Sequence, residues 1–149
     1  MYRHILVPLD GSPLSDLAVE EGLKLARSVG ARVTLLTVVD MYPAMAMASA
    51  ELTQALADYP KRLREYSQGL LDLAAAKAKK AGVEAQTRLV ESAQPFKVII
   101  DTAEQQGADL IVMASHGRRG LSGLVLGSET VKVLTHSTVP VLVCRQAAQ

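Results

Sequence analysis

Residues 109–130 read DLIVMASHGRRGLSGLVLGSET, and this stretch decides the fold. It opens with an unbroken apolar run over 110–114, passes through a glycine-rich loop and reaches Gly127-Ser128, where a helical pattern begins. An apolar run without alternation is typical of a strand that is buried on both faces, as in a parallel sheet. The stretch therefore predicts a buried strand, a loop and a helix, in that order.

The same order of elements recurs along the rest of the chain. Apolar runs predict strands over residues 3–9, 33–39, 110–114 and 139–144, and a loose alternation predicts another over 83–90. Helical periodicity predicts helices over 13–29, 95–106 and 128–136. Pro60 is expected to interrupt the segment 51–81, which gives a short helix before Asp58 and a long one after it. Ser12 is expected to cap the first helix and Gly30 to end it. The uncharged segment 41–49 is interpreted as a loop or lid.

Strands that alternate with helices predict an α/β fold in which a parallel sheet is covered by helices on both faces. Nothing in the sequence suggests a boundary, so residues 1–149 are expected to form one domain. Apolar residues at 49% exclude a disordered chain, and no apolar run reaches the roughly 18 residues of a membrane span. The near balance of 16 basic and 15 acidic residues, with 3% aromatics, argues against a nucleic-acid partner.

The single cysteine and two of the histidines are interpreted as structural residues. Cys144 lies in an apolar run, which favours a buried small side chain over a reactive thiol. His4 and His136 have no acidic or thiol partner nearby in sequence and are expected at the surface. The lone cysteine and the interrupted apolar run at the start of the chain predict a cytoplasmic protein.

Polar residues and glycines gather where the predicted strands end. Ligands of doubly wound sheets bind beyond the carboxyl ends of the strands, and Asp10, Asp40 and His116 all follow strands. The opposite edge is expected to carry no comparable cluster. The segment 117–127 holds four glycines in eleven residues and ends where a helix N-terminus would favour a phosphate. Arg118 and Arg119 would add positive charge, although the alternative of a tight turn with an N-cap at Ser128 stays open.

Three segments of this chain resemble the universal stress protein family. They are ILVPLDGS at 5–12, DLIVMASHG at 109–117 and VPVLV at 139–143. The nucleotide-binding branch of that family carries the pattern G-x(2)-G-x(9)-G-[ST]. Here the pattern falls on Ala114, Gly117, Gly127 and Ser128, so that alanine replaces the first glycine.

The resemblance implies a Rossmann-like open five-stranded parallel sheet of order 3-2-1-4-5, with ATP, ADP or AMP in the cleft. Mg²⁺ would be held through the phosphates, because no protein metal ligands are expected. Asp10 would bind the sugar, the backbone of Val38 would bind the base, and Gly117, Gly127 and Ser128 would hold the phosphates. The full set of implied nucleotide-binding residues is Pro8, Leu9, Asp10, Val38, Met113, Ala114, His116, Gly117, Arg118, Gly127 and Ser128.

The last predicted strand, 139–144, bears on assembly. In the implied strand order it lies at the edge of the sheet, and an apolar edge strand tends to pair with another strand. The resemblance likewise implies a homodimer through Val139–Cys144.

Glu129 complicates the phosphate interpretation. A carboxylate in the first turn of a helix stabilises an empty N-terminus and repels a phosphate, unless it turns outward or a cation intervenes. The sequence shows no P-loop lysine and no Ser-His-acid or Cys-His set, so at most slow ATP hydrolysis is expected. Three functions stay open: a nucleotide-binding stress-response regulator with an unknown protein partner, a slow ATPase or phosphotransfer enzyme, and a nucleotide-free dimeric interaction module.

Overall fold

The computed structural model describes residues 1–41, 57–117 and 125–147. The five strands are β1 (His4–Pro8), β2 (Arg32–Val39), β3 (Ala85–Glu91), β4 (Leu110–Ala114) and β5 (Val141–Cys144). The helices of the described ranges are α1 (Pro13–Val29), α2 (Tyr59–Ala81), α3 (Pro95–Gln106) and α4 (Ser128–His136). All strand pairs are parallel, and the strand order β3-β2-β1-β4-β5 confirms the predicted doubly wound α/β fold.

The sheet separates two apolar layers. On one face, Ile5 and Val7 of β1 pack in a buried cluster that includes residues of α1 and α2. On the other face, Leu6 of the same strand joins a cluster that includes Ile99 of α3 and Val133 of α4. Successive side chains of a strand point to opposite faces, which is why the run Ile5–Val7 of β1 is apolar on both sides and serves both layers.

The ends of α1 follow from the residues that flank it. The Ser12 hydroxyl accepts a hydrogen bond from the backbone N–H of Ser15 at 3.2 Å, as expected of an N-cap. Gly30 ends the helix with φ of +72°, a conformation that disfavours a side chain. Within the helix, a Cβ added to Gly22 would lie 2.9 Å from Cγ2 of Val7, so glycine lets α1 approach β1 closely.

Some predicted boundaries were wrong. β5 begins at Val141 instead of residue 139, because Pro140 has no N–H to donate to the sheet. The long helix expected after Asp58 is confirmed as α2, and Pro60 lies in its first turn, where its missing N–H costs nothing. The short helix predicted before it lies outside the described residues, as does nearly all of the predicted 41–49 loop.

His4 is buried, and the expectation of a surface position was wrong. Its side chain is 3% exposed and lies 3.1 Å (Nδ1) from the carbonyl oxygen of Gln106 and 2.8 Å (Nε2) from the hydroxyl of Thr34. The side-chain amide of Gln86 also donates to that hydroxyl, at 2.8 Å. Burial first, and then the positive charge of Arg32, hold the pKa of His4 below its usual range.

Two other single-residue expectations hold. Cys144 is buried at 9% exposure, and burial raises the pKa of its thiol. His136 is exposed, with its ring centroid 5.8 Å from that of Phe96. Among the described helices, none combines the length and the apolar composition that crossing a membrane requires.

Candidate functional site

The carboxyl ends of β1, β2 and β4 open on a cavity of about 620 Å³, here called the carboxyl-edge cavity. All of the predicted site residues that the structure describes line it: Pro8, Leu9, Asp10, Val38, Met113, Ala114, His116, Gly117, Gly127 and Ser128. Arg118 and Arg119 lie outside the described residues. Segments that are about a hundred residues apart in sequence therefore meet at the edge where parallel α/β sheets bind ligands.

Asp10 is held by the turn between β1 and α1. Its Oδ1 accepts a hydrogen bond from the N–H of Ser12 at 2.9 Å, and its own N–H donates to the Ser15 hydroxyl at 3.3 Å. Gly11 takes φ of +81° to make this turn. Oδ2 points towards the loop after β4, because a Cβ added to Gly117 would lie 2.5 Å from it. Asp10 thus caps the turn with one oxygen and lines the cavity as well.

The loop after β4 is fixed to the sheet at both of its described ends. Ser115 donates its N–H to the carbonyl oxygen of Cys144 at 2.9 Å, and Gly127 donates to that of Ser115 at 2.7 Å. The Thr130 hydroxyl donates to the carbonyl oxygen of Ala114 at 2.9 Å. These bonds bring the N-terminus of α4 against the end of β4, on the wall of the cavity.

The residue that caps α4 is Gly127, so the expectation of Ser128 as N-cap was wrong by one position. Gly127 has φ of −63° and ψ of 154°, and no side chain caps the helix. Its lack of a Cβ matters for packing, since an added Cβ would lie 3.0 Å from Cα of His116. Ser128 is the first helical residue and is exposed. The first turn of α4 therefore offers backbone N–H groups to the cavity.

Ala114 occupies the position of the first motif glycine without backbone strain. No described residue other than glycine has a positive φ, so this position does not demand a glycine conformation. Ala114 is 9% exposed and belongs to the buried cluster that includes residues of α1. Its methyl group adds to the core while it also lines the cavity.

The carboxylate of Glu129 forms a hydrogen bond with the neighbouring helix, α3. Its Oε2 accepts a hydrogen bond from the backbone N–H of Phe96 at 2.8 Å, in the first turn of α3. Its Oε1 lies 3.3 Å from Nζ of Lys132. The N-cap of α3, Gln94, makes no side-chain capping bond, so Glu129 supplies an acceptor to that helix instead. Glu129 nevertheless lines the cavity, so its negative charge stays beside the N-terminus of α4.

The structure adds wall residues that the sequence analysis missed. They are Ser15, Leu36, Pro95, Ile99, Val125, Leu126 and Thr130. Pro95 and Ile99 lie one helical turn apart on α3, the helix that follows β3. β3 ends at the acidic Glu91, which does not line the cavity, and no glycine-rich loop follows it. Its position before a helix could have drawn attention to this end of the sheet.

A second cavity, of about 680 Å³, lies at the amino edge, where no comparable cluster was expected. Its lining includes Arg3, Arg27 and Arg32, and Asp109. Burial acts to raise the pKa of Asp109, but the backbone N–H groups of Arg3 and His4 donate to its carboxylate and bring the pKa below its usual range. Helices α1, α2 and α3 all end at this edge, and helix C-termini disfavour anions. The carboxyl-edge cavity is therefore the better candidate for a phosphorylated ligand.

The chemistry of the carboxyl-edge cavity is that of binding. The Ser115 hydroxyl lies 3.3 Å from Nδ1 of His116. Among residues 1–41, 57–117 and 125–147, no three His, Cys, Asp or Glu side chains are grouped as a metal site would require. Apolar side chains of β2, α3 and β4 face backbone N–H groups and the Asp10 carboxylate, a combination typical of small-molecule sites.

Comparison with known proteins gives a consistent result. The model of the universal stress protein family matches residues 1–145. A universal stress protein from Methanocaldococcus jannaschii is 31% identical over 98% of this chain and 84% of its own length. Another, from Bacillus subtilis, is 31% identical over 97% of this chain and all of its own length.

Solved structures agree with the sequence matches. A universal stress protein from Lactobacillus plantarum superposes with a TM-score of 0.83 at 26% identity, covering 97% of this chain and 98% of its own. A family member from Burkholderia pseudomallei gives 0.78 at 30% identity and 97% of both chains. Two structures that share the fold at lower identity are complexes. One contains cAMP, with a TM-score of 0.70 at 24% identity and 98% of both chains. The other, from Archaeoglobus fulgidus, contains dAMP, with 0.67 at 20% identity, 97% of this chain and 98% of its own.

Proposed function

The chain belongs to the universal stress protein family, and from this premise we propose that it binds an adenine nucleotide in the carboxyl-edge cavity and acts as a stress-response regulator. The observation that carries the proposal is the meeting of segments 8–10, 113–117 and 125–130 around one cavity of about 620 Å³. Pockets of roughly 300–1,000 Å³ suit ligands of nucleotide size.

The base and sugar fit the inner part of the cavity. Leu36, Val38 and Met113 supply apolar walls against which a flat purine can pack, and the backbone of Val38 offers it polar groups. Asp10 supplies a carboxylate that can accept hydrogen bonds from ribose hydroxyls. The Ser12 N–H that donates to Oδ1 holds that carboxylate in place.

The phosphates fit the end formed by the loop after β4 and the N-terminus of α4. Gly117 and Gly127 keep side-chain atoms out of this region. Residues 128–130 of the first turn of α4 line it, and the N–H groups of a first turn have no partner within the helix. A helix N-terminus favours anions through these N–H groups and its dipole. His116 and Ser128 lie on the same wall and could contribute donors. When bound, Mg²⁺ would offset phosphate charge. The cAMP and dAMP complexes of other universal stress proteins support adenine nucleotides as the ligand class.

The same proposal extends to assembly and location. β5 lies at one edge of the sheet, and Leu142 on it is 44% exposed, which supports a homodimer formed through this strand. We propose a cytoplasmic dimer in which nucleotide occupancy of the loop after β4 changes the surface offered to a protein partner. The Ser115 hydroxyl contacts Nδ1 of His116, but Ser115 is buried and does not line the cavity, so hydrolysis is expected to be slow at most.

Calorimetric titration with AMP, ADP, ATP and cAMP tests the proposal. Gly127→Val should abolish binding, because its side chain would fill the space next to His116. Gly69→Ala is the matched control, since a Cβ there meets no atom within 4 Å. Binding to the wild type and to Gly69→Ala, but not to Gly127→Val, is the expected result. No heat with any of these nucleotides at millimolar concentration would contradict the proposal and favour a nucleotide-free interaction module.

A further inference from the structure

Glu129 joins two helix N-termini on the wall of the carboxyl-edge cavity. It follows Ser128 in the first turn of α4, and its Oε2 accepts the N–H of Phe96 in the first turn of α3 at 2.8 Å. Pro95, at the start of α3, lines the same cavity. The carboxylate therefore lies between the two helix ends at which a phosphate would otherwise find free N–H groups.

The charge around this cavity is negative over the described residues. Within 1–41, 57–117 and 125–147, the charged side chains that line it are Asp10 and Glu129, and no lysine or arginine of these ranges does. Lys132 lies 3.3 Å from Oε1 of Glu129, but its side chain is 49% exposed and is outside the cavity lining. Because an ion pair this exposed to water is weak, Lys132 offsets only part of the negative charge of Glu129.

We propose that Glu129 selects the ligand of this cavity by phosphate charge. It disfavours a nucleoside triphosphate relative to a monophosphate or a nucleoside, and a divalent cation on the phosphates removes most of that difference. The inference rests on the proposed adenine-nucleotide function and names the ligand class within it. Repulsion between the carboxylate and a phosphate grows with each added phosphate charge, whereas an uncharged nucleoside is not repelled.

The substitution Glu129→Gln removes the negative charge of residue 129 and keeps its hydrogen bond to Phe96. Glutamine has the same length, and its side-chain oxygen can still accept the N–H of Phe96, so the contact between α3 and α4 is kept. The substitution makes the local charge more positive by one whether or not Lys132 stays nearby. Glu104→Gln is the matched control, because it makes the same charge change at an exposed position of α3 that does not line the cavity.

Titration calorimetry with adenosine, AMP and ATP, without and with Mg²⁺, tests the inference. Without Mg²⁺, Glu129→Gln should bind ATP about five- to ten-fold more tightly than the wild type and AMP about two-fold more tightly, with adenosine unchanged. With Mg²⁺, the gain for ATP should shrink to about two-fold. Glu104→Gln should match the wild type throughout.

The outcomes separate this inference from the function on which it rests. An equal change for adenosine, AMP and ATP would mean that Glu129 only holds α3 against α4, and an unchanged ATP affinity would mean that its charge does not matter; either result overturns the inference and leaves nucleotide binding intact. Failure of every ligand with every variant overturns both.

A second variant gives the opposite change in charge. Lys132→Gln removes the cation that partly offsets Glu129, and because this lysine is exposed the fold should tolerate its loss. Without Mg²⁺, it should weaken ATP binding about two- to five-fold and leave adenosine unchanged. Unweakened ATP binding here would also overturn the inference, including in the case where Glu129→Gln does not fold.

Discussion

Gly117→Ala tests whether the close approach of the loop after β4 to Asp10 serves binding. A Cβ at residue 117 would lie 2.5 Å from Oδ2 of Asp10, about 1 Å inside normal contact. The obstructing atom is the end of a side chain, so the carboxylate can rotate away. We expect the free energy of unfolding to fall by less than about 1 kcal/mol.

Nucleotide affinity should respond much more strongly. If Asp10 accepts hydrogen bonds from the ribose, displacing its carboxylate removes an interaction of about 1.5–3 kcal/mol, because one partner is charged. That loss corresponds to a fall in affinity of roughly 10- to 150-fold. The assay is titration calorimetry with the preferred nucleotide, combined with urea denaturation to measure stability.

A double-mutant cycle shows whether the effect passes through Asp10. In an Asp10→Ala background the added methyl group has no carboxylate to displace, so Gly117→Ala should cost little further affinity. Fully additive losses would exclude a role for Asp10 in the effect, since they would mean that the methyl group blocks the ligand itself. Unchanged affinity in the single variant would show that the position of Asp10 is irrelevant to binding.

Three further predictions concern stability and assembly. Gly22→Ala should lower the free energy of unfolding by up to about 2 kcal/mol, because overpacking against Val7 outweighs a helix-propensity gain of about 1 kcal/mol; equal or higher stability in urea denaturation would contradict this. The pKa of His4 is lowered by burial and by Arg32, so the unfolded chain binds a proton more readily. Stability should therefore be full above about pH 6.5 and decline as pH falls below it, whereas His4→Asn should show a shallower decline between pH 7.5 and 5, and identical slopes would count against the argument. Leu142→Glu should convert the proposed dimer into a monomer in light scattering, because it places a charge on the exposed edge of β5; an unchanged mass would exclude that interface.

The fold could be predicted because its signals are local. Unbroken apolar runs identify strands that serve two core layers, and Gly30, Gly82 and Gly107 all end helices with positive φ. Together these signals gave the α/β alternation from single segments of sequence. The boundary error at β5 came from the local chemistry of Pro140, which moves the start of the strand by two residues. The bounds of α4 were predicted correctly, although its N-cap is Gly127 and not Ser128.

The features that the sequence analysis missed depend on contacts between distant residues. The ring nitrogens of His4 lie next to Thr34 and Gln106, 30 and 102 residues away, and nothing close to His4 in sequence indicates that it is buried. The contribution of α3 to the cavity and the bond from Phe96 to Glu129 arise only when α3 and α4 pack side by side on the sheet.

The most direct test of the account is to identify what the purified protein carries. The protein is heat-denatured and filtered, and the supernatant is separated by anion-exchange chromatography against adenosine, AMP, ADP, ATP and cAMP standards. We expect an adenine nucleotide in an amount close to one per chain, absent from Gly127→Val and retained by Gly69→Ala. No adenine compound in the supernatant, together with no binding of added nucleotide at millimolar concentration, would contradict it.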